Sequence, residues 1–322
     1  MATKTTRFKD FLIDKPIYTL FVILIGVSLF AVPNFASSRN IVITLIQACD
    51  LGVMACGLTF IIMNRGIDFS TTAIMSLSSV VGASIMTSDG GFLGDSPFGF
   101  VVAILAMLAT GLVIGALNGF AVTVLKMPSF MATMSMQLLF SGMAMYYTQS
   151  ASIANLPKQF LFIAEGKVFG IPFPLILTAA VMLVGHYLLT FTVFGTKIFA
   201  VGINQKTAFI SGINVKKSIF TLFVINGVFA ALAGILATAR IGAGKPDLGG
   251  GVFIDVVTAV IIGGTSLFGG YGSMVGTLFG VLFISALNVS LSLLGVQPQY
   301  IMVAKGLILT VISLLDAYRR NR

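Results

Sequence analysis

The sequence predicts an all-α membrane protein, one polytopic bundle of about ten transmembrane helices occupying residues 1–322. Three observations predict it. Hydrophobic residues make up 57% of the chain and charged residues 9%, with a mean hydropathy of +1.05, the balance of bilayer-spanning helices rather than of a soluble domain. Apolar runs of about 17–25 residues recur from end to end, the length that crosses about 30 Å of hydrocarbon as a helix. With a cytoplasmic N-terminus, thirteen Lys and Arg fall in inside segments and five in outside segments, so the charge bias predicts cytoplasmic termini. The net charge of +9 follows from this topology. Its basic residues are scattered over short loops with no basic-aromatic platform, which excludes nucleic-acid binding.

Taken in order, the runs place spans at 17–33, 41–63, 71–88, 98–124, 129–147, 172–193, 218–240, 252–268, 274–294 and 299–316. The first follows sixteen N-terminal cytoplasmic residues with Lys4, Arg7, Lys9 and Lys15. It reads as an uncleaved helix, because its apolar run exceeds a usual signal core and its removal would reverse the parity the charges support. The second holds the only cysteines, Cys49 and Cys56, roughly 10 Å apart along a helix and so packing residues rather than a disulfide. Before the third span, Asp68 or Ser70 is placed to cap the next helix, and its nearness to the inside loops leaves a coupling role for Asp68 open. Gly111, Gly115 and Gly119 in the fourth span, and Gly272, Gly276 and Gly280 around the start of the ninth, each share one helix face and predict two close-packed helix pairs. His186, the single histidine, lies in the sixth span and reads as packing or interfacial.

Two polar stretches are long enough to fold by themselves. Residues 148–171 lie outside in this topology and read as a connecting loop or an amphipathic lid. Residues 194–217, with four lysines, form a cytoplasmic loop with room for a docking partner. Catalytic chemistry is not predicted. Ala243-Gly244-Lys245-Pro246 lacks the glycine and Ser/Thr of a phosphate-binding loop, the 263–272 glycines contain no GxGxxG, and one histidine builds neither a zinc site nor a Ser-His-Asp triad. No catalytic residue, metal site or cofactor is expected on this chain.

Ionisable groups inside spans are costly and face cavities or partners. Asp50, Asp255 and Lys305 are such groups. Asp50 with Gln47, and Asp255, lie toward outer ends of their spans, and Asn118, Gln137, Asn226 and Asn288 add amides suited to adjacent hydroxyls. The candidate pathway set is therefore Gln47, Asp50, Asn118, Gln137, Asp255 and Asn288. The alternative for each is a buried Asp–Lys pair or helix-to-helix hydrogen bonding.

Four stretches carry a resemblance: GIDFS at 66–70, NGFAVTVLKMPSFMAT at 118–133, FGTKIFAVGINQKTAFISGINVKK at 194–217, and AVIIGGTSLFGGYGSMVGTLFG at 259–280. At these residues the chain resembles the ribose-type, high-affinity sugar permeases of bacterial ABC importers. The resemblance implies the second-type ABC importer permease fold in the bacterial inner membrane, a second permease copy or paralogue, cytoplasmic ATP-binding subunits carrying ATP and Mg, and a periplasmic solute-binding protein. It implies a monosaccharide or similar small polar solute, and a coupling helix around Asn204 to Asn214 with Asn204, Lys206, Thr207, Phe209, Ser211, Gly212 and Ile213 in contact with the ATPase. Phe209 stands where an arginine is common, and Arg65 where a glycine is common before GID. Alternatives are a nucleoside ABC permease and, from another class, an ion-coupled secondary carrier with Asp50 or Asp255 binding the coupling ion.

Overall fold

A computed structural model describes residues 16–320, so most of the N-terminal cytoplasmic segment, including Lys4, Arg7, Lys9 and Lys15, and Arg322 lie outside the described residues. Thirteen helices and one two-residue-strand hairpin are found among them. They are α1 Pro16–Ala31, α2 Ser38–Met63, α3 Thr71–Met86, α4 Gly99–Thr123, α5 Ser129–Thr148, α6 Lys158–Glu165, the hairpin β1 Lys167–Val168 and β2 Ile171–Pro172, then α7 Phe173–Phe191, α8 Val193–Ile203, α9 Gln205–Ile210, α10 Val215–Ile241, α11 Val252–Ile262, α12 Met274–Leu293 and α13 Pro298–Arg320. Five of these, α2, α4, α7, α10 and α12, are long and apolar enough to cross a membrane.

Helix α2 forms the axis of the bundle. Every residue from Ala48 to Met63 is buried, so this half of the helix is enclosed by protein on all sides, mainly by α10, α12, α7 and α11. Cys49 and Cys56 are free and buried within it. Thr59 Oγ1 bonds the Ala55 carbonyl at 2.7 Å and meets Thr277 Oγ1 at 2.9 Å, linking α2 to α12. Hydroxyl pairs between membrane helices contribute little, so Thr59→Val is expected to lower stability by only about 0.6 kcal/mol, measured as a small shift in detergent melting.

The first glycine ladder and two of the three glycines of the second pack helix against helix; Gly272 lies instead in the turn before α12, where a β-carbon would meet Met63 and Thr265. A β-carbon at Gly111 would strike the Gly227 carbonyl and Ala231, one at Gly115 the Phe223 carbonyl, and one at Gly119 Phe220, all on α10. Gly276 and Gly280 likewise lie against Gly263 and the Ala259 carbonyl of α11. The stretch 148–171 is a cover: Phe160 of α6 is fully buried with Leu156 among Met86, Met107 and Ile235, and Ile153 pairs antiparallel with Gly244.

The expected span at 252–268 is cut short. Helix α11 ends at Ile262, where Gly264, at φ +89°, turns the chain. The Gly264 N–H donates to the Ile261 carbonyl and the Thr265 N–H to the Val260 carbonyl, the two bonds of a Schellman ending. Residues 263–273 continue as a glycine-rich turn rather than a helix.

Candidate functional site: a paired-charge cavity and a projecting helix

A cavity of about 210 Å³ opens between α2, α10, α11 and α12, lined by Gln47, Asp50, Arg240, Asp255, Ser285 and Asn288 together with apolar Leu51, Met75 and Leu248. Asp50 sits midway along α2, and Arg240 in the last turn of α10, where the helix dipole favours a cation. The guanidinium grips one carboxylate oxygen, with Nε 3.0 Å from Asp50 Oδ2 and a second bond from Nη2. The Asp50 side chain is 8% exposed and the Arg240 side chain 37%.

Asp255 stands in the first turn of α11, where the dipole favours an anion. Lys305 Nζ lies 2.7 Å from its Oδ1 and 2.9 Å from its Oδ2, and Asn288 Nδ2 donates to Oδ2 at 3.1 Å. Asn288 Oδ1 is buried without a partner. The cavity thus holds two carboxylates matched by two cations, plus amide and hydroxyl groups with unused hydrogen-bonding capacity. Such a lining can engage a small neutral polar solute without a net charge to neutralise.

Of the six residues the sequence singled out, the fold gathers Gln47, Asp50, Asp255 and Asn288 here. Asn118 lies elsewhere, fully buried on α4 and donating to Ser70 Oγ at 2.6 Å, and Gln137 is partly exposed on α5. Asn118 belongs to a polar knot around Asp68. Asp68 Oδ1 accepts from the Ser70 N–H at 2.9 Å and its hydroxyl at 2.6 Å, and Asn226 Nδ2 donates to Oδ2 at 2.8 Å. Burial pushes the Asp68 carboxyl above the usual range, opposed by the hydrogen bonds from Ser70 and Asn226. Ser70 makes no side-chain cap bond to α3; Asp68 fastens the α2–α3 loop to α10, while Ser70 takes the bond from α4. The residue that sequence reading missed is Arg240, counted only as an outside-loop charge. Its one sequence signal was a cation in the last turn of an apolar run; its carboxylate partner was not legible.

At the other end of α10 the polar loop 194–217 folds as two helices and a turn. Helix α8 packs through buried Gly195, Ile198, Val201 and Gly202, and the six-residue α9 projects beyond it. The sequence caps α9 at both ends. Asn204 Oδ1 accepts from the N–H groups of Lys206 and Thr207 at 2.9 and 3.1 Å, satisfying donors that open any helix. At the far end, Gly212 at φ +82° allows the Gly212 and Ile213 N–H groups to bond the Phe209 and Ala208 carbonyls. Only Ala208 of this helix is buried. Phe209 is 71% exposed and Ile210 81%, and Phe209 with Lys206, Gly212, Ile213 and Lys216 borders a broad concavity of about 940 Å³.

Ionisable groups sunk in an apolar helix bundle mark a solute or ion path, and the fold and the cavity define a polytopic membrane permease. Over residues 40–313 the sequence matches the family described as branched-chain amino acid transport system / permease component, and the chain belongs to that family. It is 38% identical over 303 residues to the ribose import permease protein of Bacillus subtilis, covering 94% of this chain and 91% of the relative. It is 34% identical to the ribose import permease protein of Haemophilus influenzae, over 99% of this chain and 98% of the relative. The D-allose transport system permease protein of Escherichia coli is 34% identical over 92% of this chain and 90% of its own length.

Proposed function

We propose that this chain is the membrane permease subunit of an ATP-binding-cassette importer that carries a monosaccharide or similar small polar solute across the bacterial inner membrane. The observation that carries the reading is the near full-length similarity to ribose and allose permeases. Ten crossings are read by adding α1, α3, α5, α11 and α13 to the five long apolar helices, with both termini cytoplasmic by the charge bias. The solute passes the cavity of Gln47, Asp50, Asp255 and Asn288 on a path shared with a second permease, copy or paralogue, after delivery by a periplasmic binding protein. Hydrolysis belongs to cytoplasmic ATPase subunits, where ATP and Mg act.

Helix α9, with Asn204, Lys206, Thr207, Phe209, Ser211, Gly212 and Ile213, is the coupling element that seats in the ATPase. A short helix with its own caps moves as a rigid piece, and its exposed apolar tip suits burial in a groove. Phe209→Asp places a charge in that interface and is expected to weaken docking by about 2 kcal/mol or more, roughly 30-fold in affinity. Co-purification of the ATPase and uptake of labelled ribose or allose by proteoliposomes measure it. Unchanged ATPase retention and uptake in that variant would overturn the assignment of α9.

A further inference from the structure

Arg65 stands where a helix ordinarily ends on glycine. It follows the last turn of α2 at φ +61°, with its N–H on the Ile62 carbonyl and the Gly66 N–H on the Ile61 carbonyl, again a Schellman ending. A long side chain is disfavoured in this left-handed region, so the position is informative for what the side chain does. Arg65 Nε donates to the Gly202 carbonyl at 2.8 Å and Nη2 donates to the Ile203 carbonyl. Those carbonyls close α8, and the N–H groups that would have continued the helix onto them, from Lys206 and Thr207, are turned to Asn204 Oδ1. A guanidinium fork fits two adjacent carbonyls at the negative end of a helix dipole. Asn64, one residue earlier, adds a bond from Nδ2 to the Ile198 carbonyl at 3.2 Å.

A third segment enters the same joint. The Gly270 N–H donates to the Met63 carbonyl at 2.8 Å, and a β-carbon at Gly269 or Gly270 would collide with Arg65 or Ile203. The end of α2, the base of α9 and the glycine turn after α11 therefore meet at Arg65. Helices α2 and α11 carry Asp50 and Asp255, and Asp50 lies roughly 20 Å along α2 from Met63 at the helical rise.

We propose that Arg65 is a positioning residue that clamps the base of α9 to the end of α2, so that displacement of α9 is passed to α2 and α11 and reaches the paired-charge cavity. This rests on the reading of α9 as the ATPase-docking helix. Without the clamp, the ATPase binds and turns over, but movement of α8 and α9 reaches α2 only through Asn64 and the packing of α8, and is passed on incompletely.

The test is Arg65→Gly in the full assembly with its ATPase and binding protein in proteoliposomes. Glycine suits φ +61°, so this variant keeps the backbone turn while removing the clamp. ATPase stoichiometry and basal hydrolysis are expected to stay at wild-type levels while solute taken up per ATP falls about tenfold, within the range of ordinary site-to-site couplings, and Arg65→Lys is expected to restore part of it. A wild-type uptake-to-hydrolysis ratio in Arg65→Gly overturns the proposal. Loss of the ATPase from that assembly overturns it too, because Arg65 would then only shape the docking surface. Phe209→Asp in the same preparation keeps the two readings apart: an ATPase still bound to that variant removes the docking role of α9 itself, a result distinct from either Arg65 outcome.

Discussion

Replacing Gly111 by leucine is expected to abolish recovery of folded protein from membranes. At this crossing the backbones of α4 and α10 touch: a β-carbon on Gly111 meets the Gly227 carbonyl, and one on Gly227 meets the Gly111 carbonyl. Nothing in that contact is the movable end of a flexible side chain, so the helices must separate. Association of membrane helices depends on such close packing, because lipid is as apolar as the helix surfaces and supplies no hydrophobic drive. Separation also pulls on the polar knot two turns along α4, where Asn118 holds Ser70, and on its counterpart beside Gly227, where Asn226 holds Asp68. Overpacking a core costs about 1–3 kcal/mol when side chains can adjust; with backbone opposed to backbone and the knot disturbed, the loss is expected to exceed that range. Gly142→Leu is the control, since a β-carbon there meets nothing within 4 Å, and it is expected to stay within about 0.5 kcal/mol of wild type. Fluorescence-detected size exclusion and detergent melting report both. A Gly111→Leu protein that elutes as a single species and melts with the wild type would show that the crossing is not needed.

The glycine ladder was legible in sequence because small residues four apart fall on one helix face whatever lies opposite. Its partner was not legible: Phe220, Phe223 and Gly227 are more than a hundred positions away, and no local pattern joins them to Gly111. The same limit separates Asp50 from Arg240. Asp50 stood out as a charge within a span, but nothing in its neighbourhood announced a guanidinium 190 residues along the chain. Helix α9 was anticipated through the resemblance around Asn204 to Asn214, and the cap types Asn204 and Gly212 stand at the interval a short helix needs. The premature end of α11 was missed for a physical reason. Glycine is frequent inside membrane helices, so Gly263–Gly264 within an apolar run reads equally well as packing or as a stop. Asn118 was misplaced for a related one, because a buried amide is costly wherever it sits and sequence does not say whether a solute or Ser70 satisfies it.

Removing Arg240 is expected to have the largest functional effect of any single change at the cavity. Asp50 keeps 8% of its side chain exposed and shares the cavity wall with apolar Leu51 and Met75, so Arg240→Ala leaves a carboxylate with little solvent and no counter-charge. Breaking a buried pair in this way costs about 3–5 kcal/mol, and uptake by the intact assembly is expected to fall by a factor on the order of 100, the equivalent of about 2.8 kcal/mol at about 1.4 kcal/mol per tenfold. Asp50→Asn is expected to be milder in stability, because the remaining guanidinium is 37% exposed and can reach water. The double variant Asp50→Asn with Arg240→Gln then separates two roles that either single variant confounds. Both charges are gone, similar shapes remain, and melting is expected to return to within about 1 kcal/mol of wild type, because replacing both partners avoids the orphaned charge. Uptake is expected to stay depressed, because Asp50 and Arg240 supply the charged lining of the cavity that the proposed path uses. If uptake recovered together with melting, Asp50 and Arg240 would be structural partners only, and the pathway would have to be sought around Asp255 and Asn288.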